Sequence, residues 1–208
     1  MASTMIHIAI AKKVNEELNM DENLLYLGTM APDLSTILKR KKSRSHFYNK
    51  NEIPDLNKFL SKYNKYMKRP FEMGYYIHLY VDKLWDEIFT KDLIDLDSIT
   101  LLNGMKIKVK EKDAKKLLNK DFSNINEDLI NKYDIDLSLF DKSIRLPKIY
   151  IDEIPDKKVK LVIDEMNKVL SDSKKSKTVI LDTKNVYKFI NDTSKEIINN
   201  LKELKFIN

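Results

Sequence analysis

The chain has 208 residues, 42% of them hydrophobic and 34% charged, and a formal net charge of +6. That length and apolar content suit one domain with its own core. The absence of cysteine excludes disulfides, thiolate metal sites and thiol nucleophiles, so a metal here must be held by nitrogen and oxygen. The basic balance is almost all lysine interleaved with acidic residues, and arginine occurs only at Arg40, Arg44, Arg69 and Arg145. A dedicated nucleic-acid binder concentrates arginine on one face, which this pattern does not do. The start carries no basic segment followed by an apolar run, and no window approaches about 18 uncharged apolar residues. The expectation is a cytoplasmic protein without a signal peptide or membrane span.

Three glycines and five prolines argue against a turn-rich β fold and for an all-α, single-domain multi-helix bundle. Ser3 or Thr4 can cap a first helix whose apolar face is Ile6, Ile8, Ala9, Ile10, Val14 and Leu18, ending at Asn19. Asp21 can cap a short second helix over Glu22–Tyr26, which Gly28-Thr29-Met30-Ala31-Pro32-Asp33 then breaks. A polar basic loop follows as far as His46. Pro54 suits the first turn of a helix with Leu56, Phe59, Leu60 and Tyr63, and Pro70 opens the longest apolar stretch, Phe71 to Phe89. Around Leu101–Val109 a turn with a short strand is expected. Asn124 is placed as the cap of a helix through Leu129, and Pro147 closes an irregular region. Pro155 begins a helix with Val159, Val162, Ile163, Met166 and Leu170, and Thr183 or Asn185 begins a last one reaching Leu204.

No internal repeat is evident. The last two helices hold no histidine, so residues 1–90 are the half that carries chemistry. Residues 91–208 read as helical scaffold, irregular over 99–120.

His78 and Asp82 are four apart in Gly74-Tyr75-Tyr76-Ile77-His78-Leu79-Tyr80-Val81-Asp82-Lys83-Leu84-Trp85. On a helix they share a face and offer one nitrogen and one oxygen at a separation that a divalent ion bridges. Taken alone, this spacing more often marks a hydrogen-bonded pair. Inside so apolar a helix both groups need compensation, and a cation or a mutual hydrogen bond would each supply it. His46 stands beside Phe47 and Tyr48, His7 lies between Ile6 and Ile8, and Pro32 stiffens a turn that aims Asp33 inward. The bland alternatives are a loop histidine, a satisfied core histidine and a solvated aspartate. The combination favours a metal site of His7, Asp33, His46, His78 and Asp82, since all the histidines fall in this half beside apolar anchors.

Four blocks in order, Ser3-Thr4…His7-Ile8-Ala9, Leu27-Gly28…Ala31-Pro32-Asp33, Ser45-His46-Phe47 and Gly74-Tyr75…His78-Leu79…Asp82…Trp85, resemble the zinc-dependent phospholipase C family over residues 3–85. The resemblance implies a phosphoester hydrolase in which metal-activated water attacks phosphorus. It implies one zinc held by Asp33, His46, His78 and Asp82, and a second by His7 with a shared Asp82. Asp33 and Asp82 would then be the catalytic carboxylates. The chain departs from that pattern in two respects. It begins with Met1 where the secreted enzymes have a processed tryptophan, and it has no histidine after His78 for a third zinc. Asp86 or Glu87 is a candidate helper for the second ion, with a solvated carboxylate as the plainer reading. The expectation is therefore a reduced site of one or two Zn2+ or other divalent ions. Its phosphoester substrate would be a phospholipid, a nucleotide or a small molecule. The basic run Lys39–Arg44 is a candidate contact for an anionic surface or a phosphate. Two further readings stay open: a non-catalytic metal-stabilised helical protein, and a basic helical module binding anionic lipid or nucleic acid. The His-Asp phosphohydrolase class is set aside, because none of the histidines is followed by aspartate.

Overall fold

A computed structural model describes residues 1–90, 94–95, 98–136, 138, 143–171, 173 and 176–207. Helix α1 (Thr4–Leu18) starts where the Ser3 hydroxyl accepts the Ile6 N–H, and it stops at Asn19, which takes the left-handed conformation at φ 49°. The Asp21 carboxylate caps α2 (Glu22–Met30) through the Leu24 N–H. The expected break at Gly28 does not occur. The helix runs through Gly28 to Met30, and the direction changes only at the tight turn Ala31–Asp33, which has Pro32 in its first turn.

The reason lies in the partner helix, α6 (Pro70–Trp85). A Cβ at Gly28 would stand 2.0 Å from the Phe71 carbonyl oxygen, and a Cβ at Gly74 would stand 2.0 Å from that of Leu25. Each helix presents its glycine to the backbone of the other. The two axes therefore cross closer than any side chain permits, and the glycines mark a contact rather than an end. Nearly all of α6 is buried, which explains its lack of an amphipathic pattern.

The expected basic loop holds two short helices, α3 (Leu34–Ile37) and α4 (Lys42–Ser45), because Leu34, Ser35 and Ser45 are buried and anchor it. Helix α5 (Leu56–Tyr63) begins after Asp55, whose carboxylate accepts the Lys58 N–H. Pro54, expected in its first turn, instead forms an isolated bridge with Tyr48.

Beyond a π-helical turn at Asp86–Thr90, three short antiparallel strands form a small sheet: β1 (Ile94–Asp95), β2 (Ser98–Thr100) and β3 (Lys106–Lys108). Ile99 faces Ile107 across β2 and β3, and Gly104 turns the chain at φ 81°. One strand was expected here, so the pairing exceeds the expectation without changing the all-α class.

Helix α7 (Glu111–Tyr133) corrects the placement of Asn124 as a cap. Asn124 lies mid-helix, and its side-chain amide donates to the Lys177 carbonyl at 3.3 Å. Ala114, Leu118, Phe122, Ile125 and Leu129 carry a helical stripe through it. Part of the irregular stretch before Pro147, residues 139–142, lies outside the described residues. Helix α8 (Leu161–Ser171) follows a separate turn at Asp156–Lys158, so Pro155 and Val159 precede it rather than open it. Helix α9 (Thr183–Glu203) is capped by Asp182.

The helices enclose one main core, in which Trp85 meets Phe122 and Phe189 with ring centroids 5.7 and 5.1 Å apart. Among the described residues, no helix is long and apolar enough to cross a membrane.

Candidate metal centre

The α2–α6 crossing sets one histidine directly. Thr29 follows Gly28, and its carbonyl accepts from His78 Nδ1 at 2.7 Å. A carbonyl only accepts, so Nδ1 carries a proton, and in the neutral ring Nε2 presents a lone pair. His46 receives a similar fixing from α4: its Nδ1 lies 3.0 Å from the Ser45 hydroxyl. Ser45 in turn donates to Ser35 at 2.9 Å, and Ser35 donates to the Pro32 carbonyl at 3.1 Å. This relay has a consistent set of protons when His46 Nδ1–H donates, which again leaves Nε2 as the free acceptor. The Tyr75 hydroxyl, donating to the Ser45 carbonyl at 2.5 Å, pins the same turn to α6.

The two Nε2 atoms lie only 3.3 Å apart, and with both rings neutral they face each other as lone pairs. Asp82 Oδ2 stands 3.3 Å from His78 Nε2 and 3.6 Å from His46 Nε2, and Asp33 Oδ1 is 3.7 Å from His46 Nε2. A tetrahedral ion with ligands at about 2.1 Å holds neighbouring ligand atoms about 3.4 Å apart. These four separations are close to that value, while Asp33 and Asp82 fall in different donor groups. His7, on α1, closes the other side of Asp82. Its ring stacks on His78 with centroids 4.0 Å apart, and its Nε2 lies 3.2 Å from Asp82 Oδ1. That contact is close but off the hydrogen-bond direction. Both ring nitrogens of His7 and Asp82 Oδ2 are buried without a hydrogen-bond partner among the described residues. Buried polar atoms in this condition require a cation, a proton or water.

The donors fall into two overlapping groups, His7 with His78 and Asp82, and Asp33 with His46 and His78. The buried His7/His78/Asp82 group could hold a metal ion. Sequence reading made Asp82 the ligand common to two ions, and the structure puts His78 at the junction as well.

The electrostatics follow from burial without water. Burial, helped by the nearby His78, pushes His7 down to about 4. His46 is also lowered, chiefly by burial. Burial works the same way on His78, but the charge of the Asp82 carboxylate 3.3 Å away, with Asp33 and the Thr29 carbonyl, outweighs it and leaves His78 raised. Burial would lift the Asp82 carboxyl, and the His78 and His7 imidazoles instead hold it well below the usual range. Asp33, partly open to solvent, is held low against its own desolvation by His46, His78 and Lys42.

Some residues around the centre were not assigned by the sequence reading. Lys42 Nζ sits 3.1 Å from Asp33 Oδ1, and the Ala2 N–H donates to Asp82 Oδ1 at 3.2 Å. Nothing local marks these contacts, apart from the basic run around Lys42. Asp86 takes the Met1 amine at 3.0 Å, and Glu87 is exposed. Neither belongs to the two donor groups. A cavity of about 590 Å³ opens beside Asp33 and Lys42 and runs along Ile37, Phe122 and Asn126.

Comparison with protein-family models, curated proteins and solved structures gave no match. Fold and site thus define an all-α protein with a buried histidine–carboxylate cluster able to hold a metal ion.

Proposed function

We propose that the chain is a metal-dependent phosphoester hydrolase, with zinc as the resident ion, of the kind its four blocks resemble. The observation that carries this reading is the pair of imidazole lone pairs, 3.3 Å apart, flanked by Asp82 and Asp33. With both rings neutral, two lone pairs and two carboxylates at that range repel one another unless a cation or a proton lies between them. A divalent ion supplies Lewis-acid activation of water and neutralises charge on a phosphoryl oxygen.

The chain's own residues do the rest. His46, His78, Asp33 and Asp82 hold and orient the ion, and Thr29 and Ser45 lock the tautomers of the two histidines. Asp82 offers its second oxygen toward His7, whose unpartnered nitrogens support a second ion. Asp33 faces the 590 Å³ cavity, a suitable size for a small phosphoester, and is the candidate general base. Lys42 is placed to take a phosphate oxygen in exchange for its contact with Asp33.

Metal analysis of the purified protein, with His78→Ala as control, should return at least one equivalent of zinc or a similar ion, lost in the variant. Turnover is expected on a chromogenic phosphodiester or phosphomonoester, and His7→Ala should abolish it while leaving the fold intact. Less than one equivalent of metal would overturn the reading. Turnover that survives His7→Ala removes the second ion, and bound metal without hydrolysis leaves a non-catalytic metal-stabilised protein.

A further inference from the structure

The basic run Lys39–Arg44 divides between two places. Lys42 turns to Asp33 and the large cavity. Arg40, Lys41 and Arg44 line a different hollow of about 220 Å³, on the side of α3 and α4 where Ser35, Ser45 and Glu153 also lie. The chain reverses at Lys39, which has φ 53°, and the Arg40 N–H returns to the Ser35 carbonyl at 2.7 Å. Past that reversal Arg40, Lys41 and Arg44 all line the hollow.

Arg40, Lys41 and Arg44 are exposed, so water and salt screen much of their mutual repulsion, and an anion seated between them relieves the rest. Arg40 and Lys41 have no carboxylate partner among the described residues, and Arg44 makes one long bond, 3.3 Å, to the Asp152 carbonyl. The acid nearest to hand, Glu153, is already engaged: the Lys62 ammonium and the Tyr63 hydroxyl donate to its two oxygens at 2.5 and 2.6 Å. Glu153 thus lines the hollow with its carboxylate already paired. Guanidinium groups match phosphate oxygens with paired N–H bonds, and a lysine adds a point charge. The apolar wall of Leu38 and Ile154 limits the solvent that would screen such a contact.

We propose that this hollow binds a phosphate group, either free phosphate or a phosphomonoester headgroup, at a site separate from the metal centre. Ser45 lines the hollow and its hydroxyl also bonds His46 Nδ1, so the hollow and the metal centre share this residue. The proposal does not depend on hydrolysis or on a bound metal.

The test uses the full chain, both as purified and after treatment with a chelator. Binding of inorganic phosphate is read by calorimetry and by the shift in melting temperature. Binding to vesicles of phosphatidylcholine, with and without phosphatidic acid, is read by sedimentation. The Arg40→Gln/Arg44→Gln double variant should weaken binding at least about tenfold, as expected when charge-assisted hydrogen bonds are lost. Its melting temperature without phosphate should stay that of the parent. The charge-matched control Lys112→Gln/Lys120→Gln, at exposed positions, should bind as the parent does. Binding of free phosphate identifies a small-molecule site, and binding only of phosphatidic acid vesicles identifies a headgroup site. Equal binding by parent and double variant, loss in the control as well, or no binding of either probe by the parent overturns the proposal. Because the stripped protein is measured, absence of metal or turnover leaves this result unaffected.

Discussion

Asp82 on α6 and Asp121 on α7 are both fully shielded from water, yet their surroundings differ in kind. Asp121 Oδ2 accepts the backbone N–H groups of Ile180 at 2.6 Å and of Val179 and Leu181 at 2.9 Å. Its charge is met by donors that stay where they are, and the result is a knot tying residues 179–181 to α7. Asp82 has three imidazoles around it, one backbone N–H from Ala2, and an oxygen without a hydrogen-bond partner. A buried carboxylate with its own donors holds a fold together, whereas one short of donors needs a cation or a proton from outside. The contrast separates scaffold from candidate site in this molecule.

The largest expected effect tests the scaffold side. Asp121→Ala leaves the Ile180 and Leu181 N–H groups buried and unmatched, and should cost about 3 kcal/mol in urea unfolding. The loss should be the same with and without chelator. A loss of under about 1 kcal/mol would mean that solvent replaces the carboxylate and that the knot is not structural.

Asp82→Asn tests the other side. Metal affinity on the order of 10–16 kcal/mol, shared over four ligands, makes one ligand worth roughly 3 kcal/mol, or about 100-fold in affinity. The variant should therefore lose most of its metal in dialysis against a competing chelator, while the metal-free protein unfolds near the parent midpoint. If the parent's stability is indifferent to chelator, Asp82 and Asp121 are alike and the contrast fails.

A smaller effect should appear with pH. The folded protein holds His7 at about 4, below its ordinary value of 6.5. A histidine depressed in this way is favoured neutral by folding. Its contribution is complete above about pH 6.5 and is lost as pH falls from there toward 4. Metal-free His7→Gln should then lose less stability than the parent between pH 6.5 and 4, by on the order of 2 kcal/mol. His78, raised, acts in the opposite sense, and because its ring stacks on His7 the difference also includes the coupling between the two. Parallel pH curves for parent and variant would place His7 in contact with water.

Much of the site could be read along the chain. The His78–Asp82 spacing needs only a helix, and the apolar runs of α1 and α6 bury whatever they carry, so His7 and His78 had to be internal. Local rules failed where a remote partner decided. Gly28 reads as a break because its backbone entropy disfavours helix, but contact with Phe71 and the matching Gly74 reverses that preference. Asn124 reads as a cap because its amide competes for local backbone, but the Lys177 carbonyl draws it away and α7 runs on.

The sequence by itself determined the all-α class, the caps at Ser3 and Asp21, and the placing of every candidate ligand in one half. Those properties depend on neighbours within about one helical turn. Only the tertiary structure decided the crossing of α2 and α6, the tautomers held by Thr29 and Ser45, and the convergence of α1, α4 and α6 on one point. It alone made His78 a neighbour of both donor groups, because a distance of 3.3 Å between residues 32 apart in the chain is set by packing, which no local pattern encodes.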